Sequence, residues 1–161
     1  MTQFKLALCA ASFLGAPFAF GPAIASESDV LMTVIAPAGQ HQYSLKDLQA
    51  LPQVSFTTTT IWTKGEQEFT GVPLSALLED AGLTTGSAMA TAINDYAVEI
   101  PLDEIDENFP VVAYHLNGKP MSIRDKGPLW IVYPYDQSLD FQTEVNYSRS
   151  IWQLDRIVQA E

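Results

Sequence analysis

Basic side chains are scarce in this chain, eight Lys and Arg against 19 Asp and Glu in 161 residues, so where they gather is informative. Lys119, Arg124 and Lys126 bracket a Gly127-Pro128 turn, and Arg149 and Arg156 follow. Guanidinium groups match carboxylate or phosphate bidentately, so this grouping has the chemistry of an anion pocket. It equally suits ion pairs with neighbouring acids such as Asp125 and Asp155. Trp130, Tyr133, Tyr135, Tyr147 and Trp152 share the same third of the chain, and aromatic walls with a few polar groups line many small-molecule sites. Trp130 and Trp152 are expected in the core, Tyr133 and Tyr135 at a pocket rim.

Other chemistries find less support. Ser, His and Asp are present without triad-like order, and the two histidines, His41 and His115, lie far apart. Two histidines without a nearby cysteine make a tight zinc site a poor fit. Asp103, Glu104, Asp106 and Glu107 carry the charge for calcium but lack the glycine and alternating oxygen ligands of a dedicated loop, so a solvated face is expected. No phosphate-cradling G-x-x-x-x-G-K run occurs. The formal net charge of −11 repels nucleic acid and anionic lipid, and neither is an expected partner.

Residues 1–25 read as a secretory signal: Lys5 in the n-region, an apolar stretch from Leu6 to Phe20, and an Ala23-Ile24-Ala25 cleavage pattern. Gly15, Pro17, Gly21 and Pro22 break the run short of the roughly 20 apolar residues a membrane span needs. No twin arginine is present, which points to the general secretion route and a periplasmic or secreted protein. Cleavage removes Cys9, the single cysteine. Residues 26–161 then form one acidic domain without a thiol and without a further membrane span.

Strands and short helices have to position these groups. Val30 to Ala36 suits a strand, and Ser44 caps a helix through Leu51. Val54 to Trp62 reads as a strand returning through Lys64-Gly65 into Gln67 to Val72. Pro73 opens a helix whose Leu74, Leu77, Leu78 and Ala81 share one face, with Gly82 as its stop. A hairpin turns at Asn94-Asp95, and a short acidic helix follows Pro101. Val111 to Leu116 turns at Asn117-Gly118, a strong hairpin signal. Leu129 to Tyr133 is a buried strand, Pro134 to Ser148 a looser stretch, and Ile151 to Val158 the closing strand. The order predicts a compact, β-rich α+β domain with about three short helices.

Glu68 to Leu78 (EFTGVPLSALL), followed by Ala81-Gly82, resembles the W-x-G-V-P-L-x-x-L-L…A-G segment of the molybdopterin-binding domain in the sulfite oxidase family. Asn94-Asp95-Tyr96…Ile100-Pro101-Leu102, Asn117-Gly118-Lys119-Pro120-Met121, Gly127 to Pro134 and Ser150-Ile151-Trp152…Ile157 resemble its later elements in order. The resemblance implies a mixed α/β domain around a buried pterin pocket, with molybdenum held by the pterin dithiolene and one protein cysteine. It also shows departures. The cysteine's counterpart falls within Thr58-Thr59-Thr60, and a neutral hydroxyl cannot replace a soft thiolate. Trp130 stands where the family has an arginine, and Asp125 or Lys126 where it often has a histidine.

The expectation is therefore an exported domain of this type that has lost its cofactor and works as a binding, sensory or accessory protein. Pocket candidates are Thr58, Thr59, Thr60 and Trp62 as floor, with Asn94, Tyr96, Arg124, Lys126, Tyr133 and Arg149 around them. No catalytic residue and no metal are expected. The expected partner is a small anionic ligand or a membrane-bound protein. The alternative is a molybdopterin-dependent oxidoreductase without a protein thiolate on the metal.

Overall fold

The computed structural model describes residues 30–160; the segment expected to be a signal, with Cys9, lies outside them. The first sheet has the order β2-β1-β10-β5-β6, built from β1 (Val30–Ala36), β2 (Gly39–Ser44), β5 (Ser87–Ala92), β6 (Ala97–Pro101) and β10 (Leu154–Ala160). β1 and β10 pair in parallel and the other neighbours antiparallel. The second sheet runs β3-β4-β7-β8, with β9 also on β7. Its strands are β3 (Val54–Thr58), β4 (Gln67–Pro73), β7 (Val111–Leu116), β8 (Lys119–Pro120) and β9 (Trp130–Val132). A bridge between Trp130 and Trp152 links the two sheets just ahead of β10. This is the expected β-rich α+β domain.

Alternation decides which residues reach the core. Met32, Val34 and Ala36 on β1 and Ala88, Ala90 and Ala92 on β5 turn inward, as the two-residue period of a strand requires. β7 is buried continuously from Val111 to Tyr114, the pattern of a strand covered on both faces. Gly71 is required for the β4–β7 approach: a Cβ there would lie 2.1 Å from the Val112 carbonyl oxygen.

Helix ends follow local chemistry. At α1 (Leu45–Ala50), Ser44 and Asp47 form a reciprocal capping box. At α2 (Leu74–Asp80), the Leu74 N–H finds the Pro110 carbonyl at 2.8 Å. Gly82, at φ +76°, ends α2 with bonds from its own N–H to Glu79 and from Leu83 to Leu78, the paired closure of a Schellman motif.

Three expectations need correction. The acidic segment after Pro101 forms only a 3₁₀ turn, Leu102–Glu104. The third α-helix is α3 (Glu144–Arg149), inside the stretch expected to be loose. It lacks an apolar stripe: among its six residues only Arg149 is buried, so hydrophobic periodicity could not reveal it. The strand from Val54 stops at Thr58, because the next residues fold into a turn around the Thr60 hydroxyl. Among the described residues no helix is long and apolar enough to cross a membrane.

Candidate functional site

The threonine tract is locked by its own hydrogen bonds. Thr58 is buried, its hydroxyl donating to the Thr59 carbonyl and accepting the Asp136 N–H at 3.1 Å. Thr59 donates both its N–H and its hydroxyl to the Asp136 carboxylate, the latter at 2.8 Å. These bonds hold that carboxyl below its usual range, the backbone donor foremost. Thr60 accepts from the backbone of Trp62 and Thr63 and is hydrogen-bonded to the Thr63 hydroxyl. Each hydroxyl is thus engaged within the chain.

The turn delivers Trp62 into an aromatic cluster. Its ring meets Trp130 at 5.9 Å, Tyr135 at 6.2 Å, Tyr147 at 5.8 Å and Trp152 at 5.6 Å, all edge to face, the geometry that ring quadrupoles favour. Trp130 is fully buried as expected, with its indole N–H on the Ser150 carbonyl. Trp152 is 37% exposed and lines the surface rather than the core. Tyr135, expected at a rim, is buried, and its hydroxyl is hydrogen-bonded to the Ser150 hydroxyl, which donates onward to the Asn146 carbonyl. Burial keeps its phenol protonated well above the ordinary tyrosine range.

Beside the cluster opens a hollow of about 330 Å³ lined by Trp62, Asn94, Tyr96, Tyr147, Ser148 and Trp152, among others. Lys126 stands next to it, its ammonium 5.7 Å from the Trp130 ring and 5.6 Å from the Trp152 ring, within cation–π range. Its backbone is left-handed, φ +72°, an uncommon conformation for a side-chain-bearing residue. The Gln153 N–H on the Lys126 carbonyl at 2.9 Å pins it there.

The structure therefore sorts the expected site residues into groups. Trp62, Asn94 and Tyr96 meet around the first hollow with Lys126 adjacent. Thr58 to Thr60 support it through Trp62 but do not line it. Arg124 is exposed on the 3₁₀ turn Ile123–Asp125 and lines no described hollow with the others. Tyr133 and Arg149 face a second hollow, across α3 from Tyr147 and Ser148. Sequence reasoning missed Ser148 as lining, because α3 itself gives no periodic signal.

The basic residues split in the same way. Arg149 pairs with Glu104 at 2.6 Å, and Arg156 with Asp95 at 2.8 Å and Asp155 at 2.7 Å. Glu104 is held below its ordinary value by that guanidinium. Asp103, Asp106 and Glu107 are exposed, as a solvated face requires. Among the described residues no three His, Cys, Asp or Glu converge as metal ligands.

The model of the oxidoreductase molybdopterin binding domain family matches residues 29–138, and the chain belongs to that family. Among curated proteins, none matches its sequence. α3, β10 and much of the lining of both hollows lie beyond the matched residues. A thiolate-ligated molybdenum centre does not fit the side chains present. Residues 10–161 contain no cysteine. The hydroxyls at its expected counterpart are hard, neutral donors, already engaged with Asp136 and their own turn.

Proposed function

We propose that this chain is an exported member of the family that works without the molybdenum cofactor, as a binding, sensory or accessory domain for a small organic anion. One observation carries the reading: Thr58, Thr59 and Thr60, where the family resemblance implies the metal-binding cysteine, spend their hydroxyls on Asp136 and the turn that presents Trp62. The hollow beside that turn offers aromatic walls, the Asn94 amide and the nearby Lys126 ammonium. An anion with a flat apolar body suits that combination. The signal segment and missing twin arginine support a periplasmic or secreted location, where a membrane-bound protein would be the partner served.

A molybdopterin-dependent oxidoreductase without a protein thiolate is the second reading, and the family match favours it. Elemental analysis and an absorption spectrum of protein isolated from its native compartment separate the two. The expected result is no stoichiometric molybdenum and no pterin released on denaturation; finding either overturns the proposal. Benzoate titrated against tryptophan fluorescence tests the hollow. Lys126→Ala should weaken that binding about fivefold or more, because it deletes the cationic partner of the carboxylate, while Arg124→Ala leaves it unchanged. Equal affinity in the Lys126 variant would mean that the anion does not sit in this hollow.

A further inference from the structure

The second hollow, about 500 Å³, lies on the other side of α3, and its size is within the usual range of small-molecule sites. Arg149, at the end of α3, forms its floor and is only 9% exposed. A guanidinium has five N–H donors; Arg149 gives Nη1 to Glu104 and also reaches the Tyr133 hydroxyl, which leaves donors for a ligand. Tyr133, 4% exposed, stands beside it. Burial pushes its phenol up to about 12, against a smaller opposing pull from Arg149, so at neutral pH it carries a proton to donate.

The walls are aromatic and the mouth is acidic. Phe109 and Phe141 are half-buried with rings 6.0 Å apart at 68°, and Tyr133 lies 6.0 Å from Phe141. Glu104, Asp106 and Asp140 line the same hollow. Asp106 caps the Asn108 and Phe109 N–H groups through one oxygen, and Asp140 accepts from the Ser138 hydroxyl through one.

Charge balance selects the ligand class. Three carboxylates lining the same hollow as one guanidinium, with Glu104 paired to it, disfavour a simple anion, whereas an amine alone makes no use of the remaining Arg149 donors. A molecule carrying both charges satisfies both, and the Phe109–Phe141 wall takes an apolar body. We infer that this hollow binds an apolar α-amino acid as its zwitterion. The carboxylate lies on Arg149 and the Tyr133 hydroxyl, the ammonium on Asp140, and the side chain on Phe109 and Phe141. The site is separate from the Trp62 hollow and stands whether or not that hollow takes an anion.

The test is calorimetric titration of the full chain with L-phenylalanine, 3-phenylpropanoate (no ammonium) and 2-phenylethylamine (no carboxylate). Saturable binding of L-phenylalanine is expected, and each truncated analogue should bind about tenfold or more weakly, since it forgoes one set of charge-assisted hydrogen bonds. Arg149→Lys should cost a similar factor. Should that variant fail to fold by far-ultraviolet circular dichroism, Tyr133→Phe and Asp140→Asn test the two ends separately, each weakening L-phenylalanine about threefold or more. Arg124→Ala, at an exposed residue that lines neither hollow, should leave binding unchanged. No saturation by about 10 mM L-phenylalanine, equal affinity for the truncated analogues, or sensitivity to Arg124 instead of Tyr133 would each overturn the assignment.

Discussion

Trp62→Ala removes the ring on which the threonine turn closes, and the structure sets the size of the effect. Trp62 is half-buried and meets four aromatic partners, two of them, Trp130 and Tyr135, deep in the core. Truncating a fully buried tryptophan costs about 3–5 kcal/mol, and each well-oriented aromatic pair contributes about 0.5–1.5 kcal/mol beyond its buried area. Partial exposure lowers the first figure and four pairs raise it again, so a loss of about 2–4 kcal/mol is expected. Trp62→Phe keeps a ring in place and should recover half or more. Ile61→Ala is the control: that neighbour is 65% exposed and should change stability by less than about 0.5 kcal/mol. Urea unfolding followed by circular dichroism measures all three, and Trp130 and Trp152 keep a fluorescence signal for a second probe. A midpoint shift at unchanged slope reports stability alone. A loss below about 1 kcal/mol for Trp62→Ala would mean that the indole is not packed as described and does not hold the threonine turn in place.

Two further perturbations probe the scaffold. Gly71→Ala drives a Cβ to 2.1 Å from the Val112 carbonyl and 2.6 Å from the Ala113 Cα, both backbone, and should cost more than about 3 kcal/mol or abolish folding. Gly82→Ala meets nothing closer than 4.0 Å and is penalised only for its left-handed backbone, about 1 kcal/mol. Similar losses for the two would contradict the strand packing. Alkaline pH tests Tyr133: its proton is held more tightly in the folded state, up to about 12 from 10.0. The stability this contributes is full below pH 10 and falls as pH rises from 10 towards 12, by about 2–3 kcal/mol. Tyr43 and Tyr135 are raised by burial as well, so the informative quantity is the difference between wild type and Tyr133→Phe. Urea midpoints at pH 9 and pH 12 should drop less in the variant; an identical drop would show that the phenol is not shielded.

Features set within a few residues were legible in the chain itself. The Ser44–Asp47 capping box, the Leu74, Leu77 and Leu78 stripe closed by Gly82, and the Asn117-Gly118 hairpin each depend on neighbours that the sequence sets side by side. The same holds for the hydroxyl donors of Thr58 to Thr60, since the type of donor is a property of the residue and not of the fold. Tertiary structure alone decided where the remaining groups go. Asp136 reaches Thr59 across 77 positions and Arg149 reaches Glu104 across 45, and no periodicity encodes such pairings. The polar α3 is capped by Thr143 and held by the packing of Tyr147 on Trp62 and Tyr135 and by the Arg149–Glu104 pair, all long-range contacts that no apolar periodicity announces. That helix divides one expected pocket into two, with Tyr147 and Ser148 towards Trp62 and Arg149 towards Tyr133. Residue type thus determined which donors the chain carries, and long-range packing determined which of those residues share a cavity.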